Sequence, residues 1–364
     1  MAGAFLSGAG KSRAPIEDLA DRLEQQGFRP VRVSPLVNGW LRGLHLLAAV
    51  LLGRPFYSLA VVDLFSGRAF WWGEAVTRLL QLLGCPFVLV LHGGGLPEFA
   101  AQYPGRVAAC LRRARFVSAP SRFLQETMQP YRADILLIPN PLDIGQYPYR
   151  RRAGCAPRLV WLRAFHRIYN PLLAVRVAAR LAAEFPDLTL TMIGGDKDGS
   201  LAEARSEAER LGIAGRVEFT GNVAKKDVPA RLAAHDLFLN TTNYDNTPVS
   251  VMEAMACGLC VVSTNVGGLT YLVEDGADAL LVPPADEEAM TAAVRRILKD
   301  PGLAGRLSSA GRAKVERFDW AAVLPEWLKV LGALAAASPT TAARTASSTT
   351  TTTTAPTTAA SRRS

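Results

Sequence analysis

The chain has 364 residues, 49% of them hydrophobic and 20% charged, with a net charge of +9. That is the balance of a soluble globular protein, and the length suits two domains with substantial cores. The five cysteines, at 85, 110, 155, 257 and 260, exclude a disulfide framework; Cys257 and Cys260 form one C-x-x-C without the further ligands a zinc site needs, and we read both as small apolar fillers between a helix and a strand.

The opening residues lack the basic start and apolar run of a signal peptide, so we expect a cytoplasmic chain. Near the start, "GAGKS" (Gly8 to Ser12) looks like the end of a phosphate-binding loop. A P-loop needs an earlier glycine where this chain has Phe5, and it follows a full buried strand. We read a glycine-rich turn feeding a helix in "PIEDLADRLEQQG", with Pro15 at its first position, acids in its first turn and Gly27 after its end. Such a helix start can hold an anion through its free N–H groups.

"GLHLLAAVLLG" (Gly43 to Gly53) is the longest apolar stretch. It is too short to span a bilayer and reads as a buried helix, or as one lying on a membrane surface. Apolar runs then alternate with helical segments. "PVRVSPL", "YSLAVVDLF", "PFVLVLHGG", "RFVSAPS" and "ADILLIPNP" read as strands; "AFWWGEAVTRLLQLLG" and "FAAQYPGRVAACLRRA" read as helices. After Arg152 the pattern restarts with "RLVWLRAF", "LTLTMIGG", "RVEFTGNV", "DLFLNTT", "CVVSTNVGG" and "ALLVPP". Alternation of this kind predicts parallel sheets with crossover helices, hence an α/β fold with two Rossmann-like units. We place them at residues 1–148 and 153–336, joined through "NPLDIGQYPYRRRAGCAPR", with a Thr/Ala/Ser-rich tail at 337–364 expected to be disordered. Ligands of open α/β sheets bind beyond the carboxyl ends of the strands, so the site belongs in the cleft between the units.

Charge is uneven. Met1 to Arg152 carries 18 Lys and Arg against 10 Asp and Glu, whereas 153–336 carries 20 against 22. Arginines cluster at "LRRAR" and "YRRR". A basic first half attracts an anionic partner, such as a membrane surface or a lipid phosphate, or is simply a solvated face.

The segment richest in chemistry is Asp236 to Asp286. A strand ends at Asn240, a polar loop follows, and a helix begins near Pro248 and carries Glu253. A carboxylate near a helix start can accept two hydrogen bonds from a vicinal diol such as ribose, while the helix N–H groups face phosphate. The turn at Gly267 and Gly268 offers a second such start.

Asp245-x7-Glu253 followed by "AMACGLCVV" resembles glycosyltransferase family 4, retaining enzymes of the GT-B fold, with Cys260 where proline is usual. The resemblance implies two Rossmann-like domains whose parallel sheets face each other across a cleft, and a nucleotide-sugar donor. Glu253 would bind the donor ribose; Asp245, Asn246 and Thr247 would face the transferred sugar and phosphates; Asn222 and Val223 in "FTGNV" would line the base. "FLSGAG" is similar to the family's glycine loop, which places Gly10 near the donor phosphates or the acceptor. "LVLHGG" would supply His92 beside the sugar, and "RFDWAAVLPEWLKVL" would be the closing helix that returns to the first domain. Of the family's arginine and lysine that grip the diphosphate, Arg163 matches the arginine, but the lysine position falls near Tyr169; Arg167 or His166 would have to substitute. We expect His92, Arg163 and Asp245 to be the residues nearest the chemistry. The acceptor would be a glycan or a lipid phosphate of cell-surface polysaccharide synthesis, with peripheral contact to an anionic inner membrane face and no nucleic-acid partner. "GGDKDG" carries Asp196 and Asp198 like a metal-binding pair, but it occupies the family's glycine loop, and we expect no metal and no other cofactor. The missing lysine also allows a non-catalytic homologue that binds sugar nucleotides.

Overall fold

The computed structural model describes residues 1–3, 5 and 14–336. Gly10, the "GAGKS" turn and the tail at 337–364 lie outside them.

The first unit is built on a parallel sheet of β1 (Ala60–Leu64), β2 (Phe87–Leu91), β3 (Phe116–Ala119) and β4 (Leu136–Leu137), in that spatial order. Ala2 extends it through parallel bridges to Val62 of β1 and to Val33. The opening residues therefore fill a place inside the sheet, and of the expected strand "PVRVSPL" only the pairing around Val33 forms. Alternate residues of these apolar runs serve opposite faces, as the pleat requires. Val62, Leu64, Phe87 and Leu89 join one core with Phe70, Leu80 and Leu111. Val61 and Val88 join another with Ile16 and Leu19 of the helix Pro15–Gln25.

That second core is completed from the far end of the chain. The helix Trp320–Ala336 lays Trp320, Trp327 and Leu331 onto the same sheet face. The segments entering and leaving the second unit meet beside it, where Leu142 donates to the Phe318 carbonyl at 2.8 Å and the Ile144 N–H donates to Asp319 at 3.0 Å.

The second unit holds six parallel strands: β5 (Arg158–Leu162), β6 (Thr189–Ile193), β7 (Val217–Gly221), β8 (Leu237–Asn240), β9 (Cys260–Thr264) and β10 (Leu280–Val282). Their order is β10-β9-β8-β5-β6-β7. The chain reverses direction across the sheet between β5 and β8, which opens a crevice at their carboxyl ends. All six expected strands of this half form.

Three expectations change. "FAAQYPGRVAACLRRA" is two helices, Leu96–Gln102 and Pro104–Arg113, because Pro104 has no N–H to continue the first and suits the start of the second. The helix Gly39–Leu52 is not buried: only Gly43 and Val50 are inside, and Leu44, Leu51 and Leu52 are 57%, 52% and 74% exposed. Nor is "YRRR" wholly a solvated patch, although Arg150 and Arg151 are exposed. Arg152 is fully buried, and Asp236, itself 1% exposed, takes ion pairs from Arg150 (2.6 Å), Arg152 (3.4 Å) and Arg158 (2.8 Å). Arg152 also donates to the carbonyls of His235, Ala233, Arg150 and Cys257. This cluster ties the linker to the start of β8 and the end of the following helix.

Removing one partner of a buried ion pair leaves an uncompensated charge. Asp236→Ala is therefore expected to lower unfolding stability by about 3–5 kcal/mol in urea titration; a loss near zero would show that the guanidinium carbonyl contacts suffice alone.

Candidate active site

The loop from β8 to the helix Val249–Ala256 carries the candidate residues Asp245, Asn246 and Thr247. Thr242 anchors it: its hydroxyl donates to the Tyr244 carbonyl at 2.9 Å, and the Thr264 hydroxyl on β9 donates to the Thr242 carbonyl at 2.6 Å. The loop then crosses the turn at Gly267 and Gly268, and the Gly268 N–H donates to the Asp245 carbonyl at 2.9 Å. A Cβ at Gly268 would overlap the Asn246 carbonyl, and one at Gly267 the Asp245 carbonyl, so only glycine lets the two turns stack here. This stacking holds Asp245, Asn246 and Thr247 at the mouth of the crevice.

Arg163, one residue beyond β5, forms an ion pair with Asp245 and places its guanidinium 4.5 Å from the centre of the Tyr169 ring. Tyr169 stands near the position where the resemblance would place a lysine. Burial pushes the Arg163 pKa down, against the pull of Tyr169 and Glu253. Its Nε is buried without a hydrogen-bond partner, as are the Thr247 and Ser250 hydroxyls at the start of the helix. Buried polar groups are normally satisfied, so these orphans, on Arg163 and at the start of the helix, single out the crevice as the candidate site for a polar ligand.

Glu253 lies one turn further in and is 7% exposed. Tyr147, from the linker, donates its hydroxyl to the carboxylate at 2.8 Å. Burial raises the Glu253 pKa, while that hydrogen bond, Lys225 and Arg163 pull it back. Lys225 sits on the exposed turn after β7. Asn222 and Val223, at the carboxyl end of β7, line an open depression with Thr220 and Asp227.

The other expected residues divide. His92, directly after β2, is bound through Nε2 to Asp63 at 2.9 Å and stacks on Phe65 with ring centres 4.8 Å apart. Arg167 is turned away from Arg163 and held at the surface by Glu203 at 2.5 Å. His166 uses its Nδ1 to accept the Ile168 N–H at 3.1 Å. The structure thus brings neither to the side of Arg163. Asp196 and Asp198 serve the turn: Asp196 accepts the Gly199 N–H at 3.0 Å, and Asp198 accepts the N–H groups of Arg167 (2.9 Å) and Ser200 (3.2 Å). The Arg167 contact is the main cause holding the Asp198 pKa down at about 2.

The two units meet through this same loop. Ser121, which caps the helix Arg122–Met128, donates to the Asn246 side chain at 2.7 Å. Tyr244 donates to the Gly94 carbonyl at 2.8 Å and to Glu98 at 3.1 Å. Tyr271 donates to Glu126 at 3.0 Å. Tyr147, Ser121, Tyr244 and Lys225 were not singled out from the sequence. Tyr244, two residues before Asn246, had a positional signal; the others come from distant segments.

Residues 156–300 match the family model described as glycosyl transferases group 1. The D-inositol 3-phosphate glycosyltransferase of Rhodococcus jostii (strain RHA1) is 28% identical over 277 residues, 70% of this chain and 61% of that protein. The phosphatidyl-myo-inositol mannosyltransferase of Mycolicibacterium smegmatis is 28% identical over 217 residues, 58% of this chain and 55% of that one. The matches thus span about three fifths of these curated relatives' length. In fold, the chain is similar to Anabaena Alr3699/HepE, solved in complex with UDP, with a TM-score of 0.71 at 20% identity over 88% of this chain and 90% of that one. The group 1 glycosyl transferase match thus falls on the second unit, and the chain as a whole has the GT-B fold of two Rossmann-like units about a cleft.

Proposed function

We propose that the cleft binds a nucleotide-sugar and that the protein transfers the sugar, with retention of configuration, to a glycan or lipid-phosphate acceptor. The observation that carries this is the set of buried, unpartnered donors: Arg163 Nε, whose guanidinium pairs with Asp245 of the loop, and the Thr247 and Ser250 hydroxyls at the start of the helix that follows. A diphosphate would meet all three and the free N–H groups of the helix. Glu253, one turn in, would then take the ribose hydroxyls; Asn222 and Val223 would flank the base. Asp245 would leave Arg163 for the sugar as the diphosphate takes its place on the guanidinium.

Breaking the anomeric bond leaves negative charge on the diphosphate and positive charge on the ring. Arg163, the helix N–H groups and Lys225 would stabilise the first without a metal or other cofactor. His92, with its Nε2 on Asp63, would hydrogen-bond the sugar through its other nitrogen. Gly10 is assigned to the phosphate or acceptor side by resemblance alone. The Tyr169 face beside Arg163 favours one second reading, a homologue that binds the donor without turning it over. We place the protein in the cytoplasm, peripheral on an anionic inner membrane face, with a role in cell-surface polysaccharide synthesis; the exposed leucines of Gly39–Leu52 and the positive first half support that contact.

Calorimetric titration with UDP-, GDP- and ADP-sugars tests the donor site. Glu253→Ala is expected to weaken the preferred donor by about tenfold or more, since two charge-assisted hydrogen bonds are lost; unchanged affinity would sink the assignment. Arg163→Ala should lower kcat by about 10²–10³, the usual cost of one donor to developing negative charge, and EDTA should leave the rate unchanged. No turnover of any donor by the wild-type chain that binds it would select the second reading.

Acidity offers a separate check. Glu253 has a raised pKa in the free protein, so it becomes protonated on acidification sooner than an ordinary glutamate. Donor affinity should therefore fall on acidification at pH values above the usual carboxylate range, and Glu253→Gln should flatten that dependence.

A further inference from the structure

The most exposed apolar surface of the described residues belongs to the first unit. Trp40, Leu41, Leu44, Leu51, Leu52, Phe56 and Leu82 are each more than half exposed, from 52% to 84%. Scattered single apolar residues need no explanation, but a contiguous set marks a contact site. Here the set flanks a continuous seam between the helices Gly39–Leu52 and Arg68–Leu82.

Gly43 makes the seam possible: a Cβ there would overlap the Trp72 ring, so only glycine admits Trp72 against the neighbouring helix. Trp40 completes the wall, edge-on to Trp72 with ring centres 5.4 Å apart. The result is a cavity of about 940 Å³ whose walls include Trp40, Leu46, Phe65, Trp71 and Trp72. That is the size and lining of a pocket for an apolar ligand with a few polar contacts. Trp71 and Ala75 also line a second groove, of about 650 Å³, which continues along the same helices past Leu47, Leu51, Leu79 and Leu82.

The two ends differ in chemistry. The end next to the cleft holds Asp63, bound to His92, together with Arg42 and Arg68. Arg68 has no ion-pair partner among the described residues, and Arg42 reaches only the Leu36 carbonyl at 3.3 Å. The far end is lined mainly by leucines and opens among exposed ones, with Glu74 and its ion-pair partners Arg78 and Arg106 along one side. A slot with cations near the reaction centre and hydrocarbon leading outward matches a molecule with a phosphate next to its reacting head and a long chain behind it.

We propose that this seam binds the hydrocarbon chain of a lipid-phosphate acceptor drawn from a membrane surface, with the phosphate at Arg42 and Arg68 and the accepting head beyond it at Asp63 and His92. The proposal rests on the glycosyl-transfer reading for the identity of the head but not for the chain. It selects the lipid phosphate over the free glycan as acceptor. The exposed leucines at the far end keep the slot open to the bilayer, so the chain slides in without crossing water.

The test uses the full chain and ω-bromoalkyl phosphates of increasing length below their micelle concentration, because bromine quenches indole fluorescence on contact and three tryptophans line the seam. Saturable quenching that tightens with chain length is expected. Ala75→Phe, which obstructs the seam, should weaken it by about tenfold or more, and Arg68→Ala should weaken the phosphates while leaving the matching bromoalkyl alcohols unchanged. Ala69→Phe, at an exposed position on the cavity rim, serves if Ala75→Phe fails to fold. Quenching independent of chain length overturns the proposal. So does quenching unaffected by either phenylalanine but abolished by Leu44→Ser with Leu52→Ser, which would put the chain on the outer surface. Donor titrations run alongside separate the two ideas: quenching without donor binding removes the transferase reading and leaves the chain site, whereas donor binding without quenching removes only the chain site.

Discussion

One buried carboxylate organises the second unit. Asp236 stands at the entrance to β8, with the guanidinium groups of Arg150, Arg152 and Arg158 around it. A lone carboxylate inside a protein is expensive, and so is a lone guanidinium; together, with backbone carbonyls taking the remaining N–H groups, they hold each other. Arg158 begins β5, and Asp236 precedes β8, so the cluster pins the two strands between which the sheet reverses direction. Through Arg152 and the Cys257 carbonyl it also fixes the end of the helix that carries Glu253. The crevice above those strands is therefore set from below, by charges at the opposite end of the strands from Arg163.

At the upper end of the same strands the polar groups are incompletely satisfied. Arg163 is buried yet keeps its Nε free, and its partner Asp245 belongs to a loop that also bonds the other unit through Tyr244 and Asn246. The difference between the two arginine environments is informative. Arg152 has every direction filled and is structural; Arg163 is paired with Asp245 and keeps its Nε free, which is why we propose it as the group that meets an anionic ligand.

The legibility of the site in the sequence followed chain distance. Asp245 and Glu253 were visible because a loop and the helix after it are one local unit, and eight residues fix their relation whatever the rest of the chain does. Strand runs were visible for a similar reason: strands buried on both faces leave continuous apolar stretches, and all six of the second sheet could be found. Tyr147 and Ser121 reach the site from 106 and 125 residues away in sequence, and no local pattern marks them. Arg150 and Arg152 of "YRRR" were misleading because their role depends on one aspartate 84 residues downstream from Arg152. The helix Gly39–Leu52 misled in the opposite sense: its composition is that of a core helix, and only the fold shows that just one narrow stripe of it is covered.

The return of Trp320–Ala336 to the first sheet has a mechanical consequence. The chain crosses between the units twice, and the two crossings are hydrogen-bonded to each other at Leu142–Phe318 and Ile144–Asp319. A single tether would permit twisting as well as swinging; a laced pair behaves as a door hinge, with one axis. Any movement that parts Tyr244 from Gly94 must then also part Ser121 from Asn246 and Tyr271 from Glu126, so the jaws gape as a unit and reclose in the same register.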